Sequence, residues 1–532
     1  MDAGHGERAM EPRQITSQLQ AVLTAVEGVF QWLVGGADGH STYGVTRWLF
    51  LRALGVIYLI AFVSLWVQVK GLIGSQGILP AQQYLQTLRA YLGPERYRLA
   101  PTVFWLGAGD GLLVLACGVG TLAALLLVCD VAPVGALVVL WVLYLSLAAV
   151  GRDFLSFQWD VLLLETGFLA IFFAPSHLVP GRGAAGVPAV GLFLLWWLLF
   201  RLTFQSGLVK LTWGDPTWLD LTALDYHFYT QPLPTWIAWY AQQLPAVAKK
   251  LAVLLTYVLE IGCPLLIFGP RTLRLVACGA MVFLQLVIFA TGNYNFFNLL
   301  TIALALLLVD DAAWAALLPG DLVRAVARMG GATGPTGGAL RMAVAGFVLV
   351  VSSAKFWQNL TPRSTLPDPA QRALAWVEPF RSVNSYGLFR VMTTTRPEIV
   401  VEGSDDGATW EAYEFKYKPG AVTRRPRFVE PHQPRLDWQM WFAALGPYEL
   451  TPWVPSFLGA LLEGSPPVLA LLARNPFPQH PPRYVRTRLY NYRFTTPAER
   501  QASGAWWSRS LVGAYGPVLS LAPPERPGPP EP

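Results

Sequence analysis

The run Leu275–Val309, LVACGAMVFLQLVIFATGNYNFFNLLTIALALLLV, carries no charged side chain over 35 residues. A helix crosses a hydrocarbon core about 30 Å thick with about 20 mostly apolar residues, so this run is too long for one crossing. Thr291-Gly292-Asn293-Tyr294-Asn295 in its middle is a turn signal, and the run reads as two spans. The same test, moved outward, finds Trp48–Val69 with Arg52, Val103–Val128 broken by Asp110, and the uncharged Val131–Val150. It also finds Ser156–Pro175 with Asp160 and Glu165, Pro188–Val209 with Arg201, Leu251–Phe268 with Glu260, and the shorter Ala339–Ala354. That makes about nine spans in a polytopic helical membrane domain.

Composition agrees. Of 532 residues, 54% are apolar and only 14% charged, against roughly 25% charged in ordinary soluble proteins. Such polarity excludes a disordered chain, whose signature is low hydrophobicity with high net charge. The bias is uneven: residues 1–360 hold 38 charged side chains and residues 361–532 hold 34. The expected layout is a polar or amphipathic segment at 1–46, the membrane domain at 47–360, a water-facing domain at 361–522 and a Pro-rich disordered end at 523–532. The net charge of +6 comes mostly from arginine, with no lysine-rich block, so nucleic acid is not an expected partner. All four cysteines lie in apolar runs, which leaves the C-terminal region no disulfide framework. No cleavable signal peptide is expected, because the first long apolar run starts too late. Thr16–Val34 has helical apolar spacing and reads equally as an interfacial helix or a packed one. Lysine and arginine are too evenly shared between the loops to orient the spans.

The C-terminal region reads as mixed and mostly β. Glu398–Glu402 alternates, Ser404–Gly407 is a hairpin turn, and Trp410–Lys416 alternates back. Leu436–Leu445 and Phe457–Leu472 read as helices, and Tyr484–Phe494 as a half-buried strand.

Charges at membrane depth cost about 2.5–3.5 kcal/mol each on insertion scales, so they face a bundle interior or a cavity. Asp110, Asp160, Glu165, Arg201, Lys210 and Glu260 are in this position. Asp160 and Glu165 stand opposite Arg201 and Lys210 on the next span, so structural ion pairs are the first expectation and a catalytic cavity the second. A desolvated Lys210 would be a base near neutral pH, although a lysine at a helix end also snorkels to the interface. Asp110 among Gly107, Gly109 and Gly111 reads as close helix packing. The loop Trp213–Pro234, WGDPTWLDLTALDYHFYTQPLP, is dense in aromatic and polar groups, with Trp213, Asp215, Trp218, Asp225 and His227 its conspicuous members. Asp220, Asp225 and His227 match no established metal-ligand spacing. No phosphate loop, CxxC pair, HExxH or GxSxG appears, so neither metal nor cofactor is expected.

Several strings together resemble one family. Ser156–Pro175 (SFQWDVLLLETGFLAIFFAP) is similar to a signature segment of the lipase maturation factors, as is Leu208–Pro234. Asn384–Phe389 (NSYGLF), Trp410–Gly420 (WEAYEFKYKPG) and Arg435–Leu445 (RLDWQMWFAAL) resemble that family's C-terminal domain, and Asn475–Phe477, Trp506-Trp507 and Gly513–Tyr515 continue the match. The resemblance implies a membrane protein of the endoplasmic reticulum that helps secreted lipases fold and assemble, with the C-terminal domain lumenal and engaging the client. The Arg- and Ala-rich, Lys-poor composition suggests a bacterial homologue, whose C-terminal domain would be periplasmic on an inner membrane. Tyr417 stands where relatives carry cysteine, so thiol chemistry there is not implied. Gly207, Lys210, Leu211, Trp213 and Gly214 are more faintly similar to the vitamin K-dependent gamma-carboxylase membrane domain, in which a lysine is the base; no matching histidine is found on the following spans.

Two functions follow. In the first, a non-enzymatic maturation factor holds a secreted lipase or other secreted client on its C-terminal domain, with Trp438, Trp441, Phe442, Trp506 and Trp507 as client-binding candidates and membrane lipids as surroundings. For each of those aromatics the first expectation is the domain's own core, and client binding the second. In the second, a membrane enzyme acts on a lipid or quinone-like substrate in a bundle cavity lined by Lys210, Asp160, Glu165 and Glu260.

Overall fold

Apolar side chains all round a helix leave it no solvated face, and the helices of the first 360 residues therefore pack on one another or face lipid. The computed structural model describes residues 12–35, 42–180, 186–321, 338–361 and 365–521. The Pro-rich end at 523–532 lies outside them. Helices α1 (Pro12–Gly35), α2 (Gly44–Trp66), α3 (Asp110–Val128), α4 (Pro133–Gly151), α5 (Gln158–Phe173) and α6 (Ala189–Thr212) come first. The short α7 (Ala223–Thr230) and α8 (Trp236–Gln242) follow in the loop after α6. Then come α9 (Ala246–Tyr257, helical on to Phe268), α10 (Arg271–Thr291), α11 (Phe297–Leu306) and α12 (Gly338–Leu360).

Seven of these are long and apolar enough to cross a membrane: α2, α3, α4, α6, α9 with its extension, α10 and α12. The turn at 291–295 divides the long uncharged run as its sequence implies, but α11 is only 10 residues and is followed by a bend of 107°. Helix α5 has 16 residues and is almost wholly buried, with Gly167 letting it approach α2: a Cβ there would stand 1.9 Å from the Tyr58 hydroxyl. Successive helices pack side by side from α2 to α6, and α12 closes on α6. The glycines around Asp110 do not mark close helix packing. Gly109 and Gly111 face open space, and Asp110 instead accepts the Ser75 backbone N–H at 2.7 Å.

The C-terminal region carries α13 (Asp368–Val377) and then small antiparallel sheets. Strands β1 (Arg396–Ser404), β2 (Glu411–Ala412), β5 (Tyr484–Phe494) and β6 (Trp507–Ala514) form one sheet in the order β2-β1-β5-β6, and β3 (Glu414–Phe415) pairs with β4 (Leu472–Arg474). Nine residue pairs join β1 to β5, from Arg396↔Tyr492 to Ser404↔Tyr484. The expected hairpin turn forms around Asp406, which accepts the backbone N–H groups of Ala408 and Thr409. Its return arm pairs for only two residues before crossing to the second sheet. Helix α14 (Arg435–Ala444) falls where expected. The second predicted helix stops early: α15 (Trp453–Leu462) ends at Gly464, which has φ +66°, and Leu472 is already strand. Helix α16 (Pro497–Ser503) is set by a capping box between Thr496 and Glu499.

Candidate functional site

Except for Asp110, which is held by Ser75, the charges placed at membrane depth are paired with other charges, and one partner comes from outside the helices. Arg435, at the start of α14, forms a two-point pair with Asp160 of α5: Nη2 reaches Oδ1 at 2.9 Å and Nη1 reaches Oδ2 at 3.0 Å. Tyr144 of α4 donates to the same Oδ1 at 2.6 Å. Asp160 and Arg435 are both fully buried. A guanidinium is suited to this because its planar fork meets both carboxylate oxygens at once.

A second cluster lies one and a half turns further along α5. Glu165 pairs with Arg201 of α6, as the sequence implies for neighbouring spans. Its second oxygen accepts the backbone N–H of Asn384 at 2.9 Å and the Tyr386 hydroxyl at 2.7 Å. Arg201 in turn donates to the Asn384 carbonyl at 3.1 Å. The five-residue spacing of Asp160 and Glu165 thus points them at different partners, and both reach into the C-terminal region.

Lys210 does not snorkel into solvent. It is buried and donates to Glu260 at 2.5 Å and to the Ser206 carbonyl at 2.9 Å. Two local features bring the pair together. Residues Val258–Gly262 form a π-turn that turns Glu260 toward α6. Gly207 has no Cβ to stand in the way; one added there would meet Glu260 Cβ at 2.7 Å. The four acid–base candidates therefore sit in three separate pairs, Asp160–Arg435, Glu165–Arg201 and Lys210–Glu260.

The aromatic loop after α6 is where the C-terminal region attaches. Asp215 caps its short first helix through Thr217 and also accepts the Met392 N–H. Trp218 donates to the Phe389 carbonyl at 2.8 Å, and Tyr229 to the Thr394 carbonyl at 3.0 Å. The buried Arg396 donates to the carbonyls of Tyr229, Gln231 and Pro232 while pairing with Glu398, which also holds Lys418 at 2.9 Å. Asp225 pairs with Lys249 at 2.6 Å, and the His227 ring lies against Phe389. Burial and nearby Lys210 push His227 down to about 4, leaving it neutral at physiological pH. Exposed Trp213 carries Arg390 over its ring. Asp225 and His227 thus have different neighbours, and among the described residues no three His, Cys, Asp or Glu side chains are grouped to hold a metal.

The aromatic candidates of the C-terminal region have structural neighbours. Trp438 packs on Trp159 at 4.6 Å, Trp441 donates to the Thr230 carbonyl at 2.8 Å, Trp506 meets Trp239, and Trp507 lies on Phe494. All four are buried; only Phe442, 45% exposed, faces outward.

Further contacts come from the turn that splits the long uncharged run. Asn293 accepts the Val429 N–H at 2.7 Å and donates to the Arg427 carbonyl at 2.8 Å. Glu430 accepts the Tyr294 N–H, and burial pushes its carboxyl up to about 9. Sequence reasoning missed Arg435, Asn384, Arg396 and Glu430 as members of this seam. The first two stand inside strings that carry the family resemblance, but nothing local separates them from surface residues.

The element ends touched by the C-terminal region lie on one side of the bundle: the end of α2, the end of α4, the start of α5, the end of α6, and the turn between α10 and α11. The protein is thus an integral membrane protein with its C-terminal region seated on one end of its helices.

Comparison with known proteins covers both parts. Residues 45–316 match the family model described as lipase maturation factor transmembrane domain, and residues 382–517 match the lipase maturation factor C-terminal domain. Lipase maturation factor 2 of Gallus gallus is 39% identical over 90% of this chain and 82% of its own length. The Homo sapiens protein of that name is 39% identical over 90% and 83%. Lipase maturation factor 1 of Bos taurus is 37% identical over 90% of each. No solved structure matches. With most of the helical bundle and the whole β-sheet inside the matched ranges, and relatives 37–39% identical over 90% of it, the chain belongs to the lipase maturation factor family.

Proposed function

We propose that this protein is a membrane-anchored folding and assembly factor for secreted lipases or other secreted clients, and that its C-terminal region engages the client on the extracytoplasmic side. In a eukaryote that side is the lumen of the endoplasmic reticulum; in a bacterium it is the periplasm. The observation that carries the reading is the seam. Three sets of buried contacts, around Arg435, Asn384 and Arg396, hold the C-terminal region on the helices in one orientation. A client then meets a fixed surface rather than a tethered domain. On that surface Phe442, Leu445, Leu450, Leu511 and Val512 are exposed apolar groups, of the kind that mark an interaction site. Strand β6 is a sheet edge, and its middle residues are open to solvent.

The enzyme reading asks Lys210, Asp160, Glu165 and Glu260 to converge on one cavity. Their division among three ion pairs favours the maturation reading instead. The test is secretion of active lipase from cells lacking the endogenous factor. Phe442→Asp and Val512→Asp should reduce secreted lipase activity several-fold at unchanged factor abundance, and Lys210→Met should reduce it only in proportion to lost protein. The opposite pattern, with surface variants silent and Lys210→Met inactive at full abundance, would establish the enzyme.

A further inference from the structure

The loop after α6 ends in an aromatic helix, and two arginines of the C-terminal region lie on it. Arg500 of α16 holds its guanidinium carbon 3.6 Å from the centre of the Trp506 ring and 4.6 Å from that of Trp239. Arg425 stands 5.7 Å from the same Trp506 ring and 4.6 Å from Trp236. The two cations therefore share one indole. Stacking on aromatic faces fixes where a guanidinium sits without neutralising it. Arg500 reaches the Tyr240 hydroxyl at 3.5 Å, and neither arginine has a carboxylate partner among the described residues. Elsewhere on the same surface arginines are paired, as Arg493 is with Glu499 and Arg486 with Glu402.

The position of this pair says what would neutralise it. Helix α8 leads directly into the membrane helix α9. Exposed apolar residues recur from Tyr240 and Leu244 through Val247, Leu251, Leu254 and Val258, with exposed Lys250 at their flank. From Val247 onward the spacing is helical, so this is one lipid-facing stripe, and Val247 and Leu251 are 69% and 60% exposed. The arginine pair stands where the stripe meets the C-terminal region, beside Trp236, Tyr240 and exposed Phe428. Tryptophan and tyrosine gather at headgroup level in a bilayer, and arginine forks match phosphate oxygens.

We propose that Arg425 and Arg500, mounted on Trp236, Trp239 and Trp506, bind the phosphate of an anionic phospholipid in the leaflet on the C-terminal side. Continuity with the lipid-facing stripe of α9 favours a lipid over an acidic protein segment. Such a lipid would bridge helix and C-terminal region at a point where two arginines have no carboxylate partner among the described residues.

The experiment uses delipidated full-length protein titrated with phosphatidylglycerol or phosphatidylcholine in mixed micelles, with bound lipid counted by native mass spectrometry. The wild type should retain phosphatidylglycerol preferentially. The double variant Arg425→Gln, Arg500→Gln should lose that preference by about tenfold or more, while Arg474→Gln, a basic site paired with Glu411, should not change it. Arg425 is exposed and has no hydrogen bond among the described residues, so Arg425→Gln alone is the variant that least disturbs the fold and should lose part of the preference. Inorganic phosphate should compete weakly; competition as strong as that of the lipid would replace the lipid by free phosphate. Undiminished phosphatidylglycerol retention in the double variant, or capture of an acidic polypeptide but no lipid, would overturn the proposal.

Discussion

Asp160 illustrates what burial does to a single carboxylate. With Arg435 in place, its two oxygens accept from a guanidinium and a tyrosine in a site without solvent. Removing one partner of such a pair costs about 3–5 kcal/mol, because the other charge stays buried, whereas replacing both by apolar groups is far cheaper. Arg435→Met alone should therefore destabilise the purified protein strongly, and Asp160→Leu with Arg435→Met should recover much of the loss. Thermal unfolding in one detergent compares the three; a double variant as unstable as the single would contradict the pairing. Glu430 makes the complementary case on the C-terminal side. Burial raises its carboxyl from 4.5 to about 9, so between those values the folded protein holds a proton that the unfolded chain lacks. Stability linked to that proton is complete below the lower value and is lost as pH rises through about 9. Glu430→Gln has no such proton to lose. Its unfolding midpoint should approach and then exceed that of the wild type as pH is raised from 5 to 9, and a pH-independent difference would refute the assignment.

At the scale of elements, the contact between α6 and the π-turn of α9 depends on one missing side chain. A Cβ on Gly207 would lie 2.7 Å from Glu260 Cβ and Ile261 Cγ1 and 3.0 Å from the Glu260 carbonyl carbon. Backbone cannot swing aside as a flexible side chain does. Gly207→Ala should therefore push the two helices apart, lengthen the Lys210–Glu260 pair and cost about 1–3 kcal/mol. Gly279 faces open space, so Gly279→Ala on α10 is the matched control and should be neutral. Unfolding midpoints of the two variants decide it, and equal values would remove the steric argument. The same scale explains why one buried helix is short. Helix α5 is surrounded by α2, α4 and α6 and need not match the bilayer thickness, because protein rather than lipid satisfies its ends.

At the scale of the whole molecule, helices and C-terminal region are not independent parts. A water-facing domain at 361–522 set apart from a membrane domain at 47–360 would be removable, leaving the bundle inserted. The seam says otherwise, since deleting residues 361–532 strips Asp160 of Arg435 and Glu165 of Asn384 and Tyr386. The truncated chain should accumulate poorly in membranes, and Asp160→Asn with Glu165→Gln should raise its abundance by removing the stranded charges. Quantitative blotting of membrane fractions reads this directly. Full abundance of the unmodified truncation would show that the bundle stands alone.

Sequence by itself determined what depends on local composition. Thirty-five residues without charge cannot leave a bilayer until a turn permits it, so Leu275–Val309 had to be two helices. Residue strings such as NSYGLF and RLDWQMWFAAL carried the family resemblance for the same reason, each being legible in its own short window. The pairing of Glu165 with Arg201 was also legible, because neighbouring helices place opposite charges face to face. Only tertiary structure decided that Asp160 belongs to Arg435, 275 residues away, and that Trp213–Pro234 is an attachment surface. A buried arginine and an exposed one are spelled alike. What separates them is how much water the fold removes from around each, and that is set by elements distant in the chain.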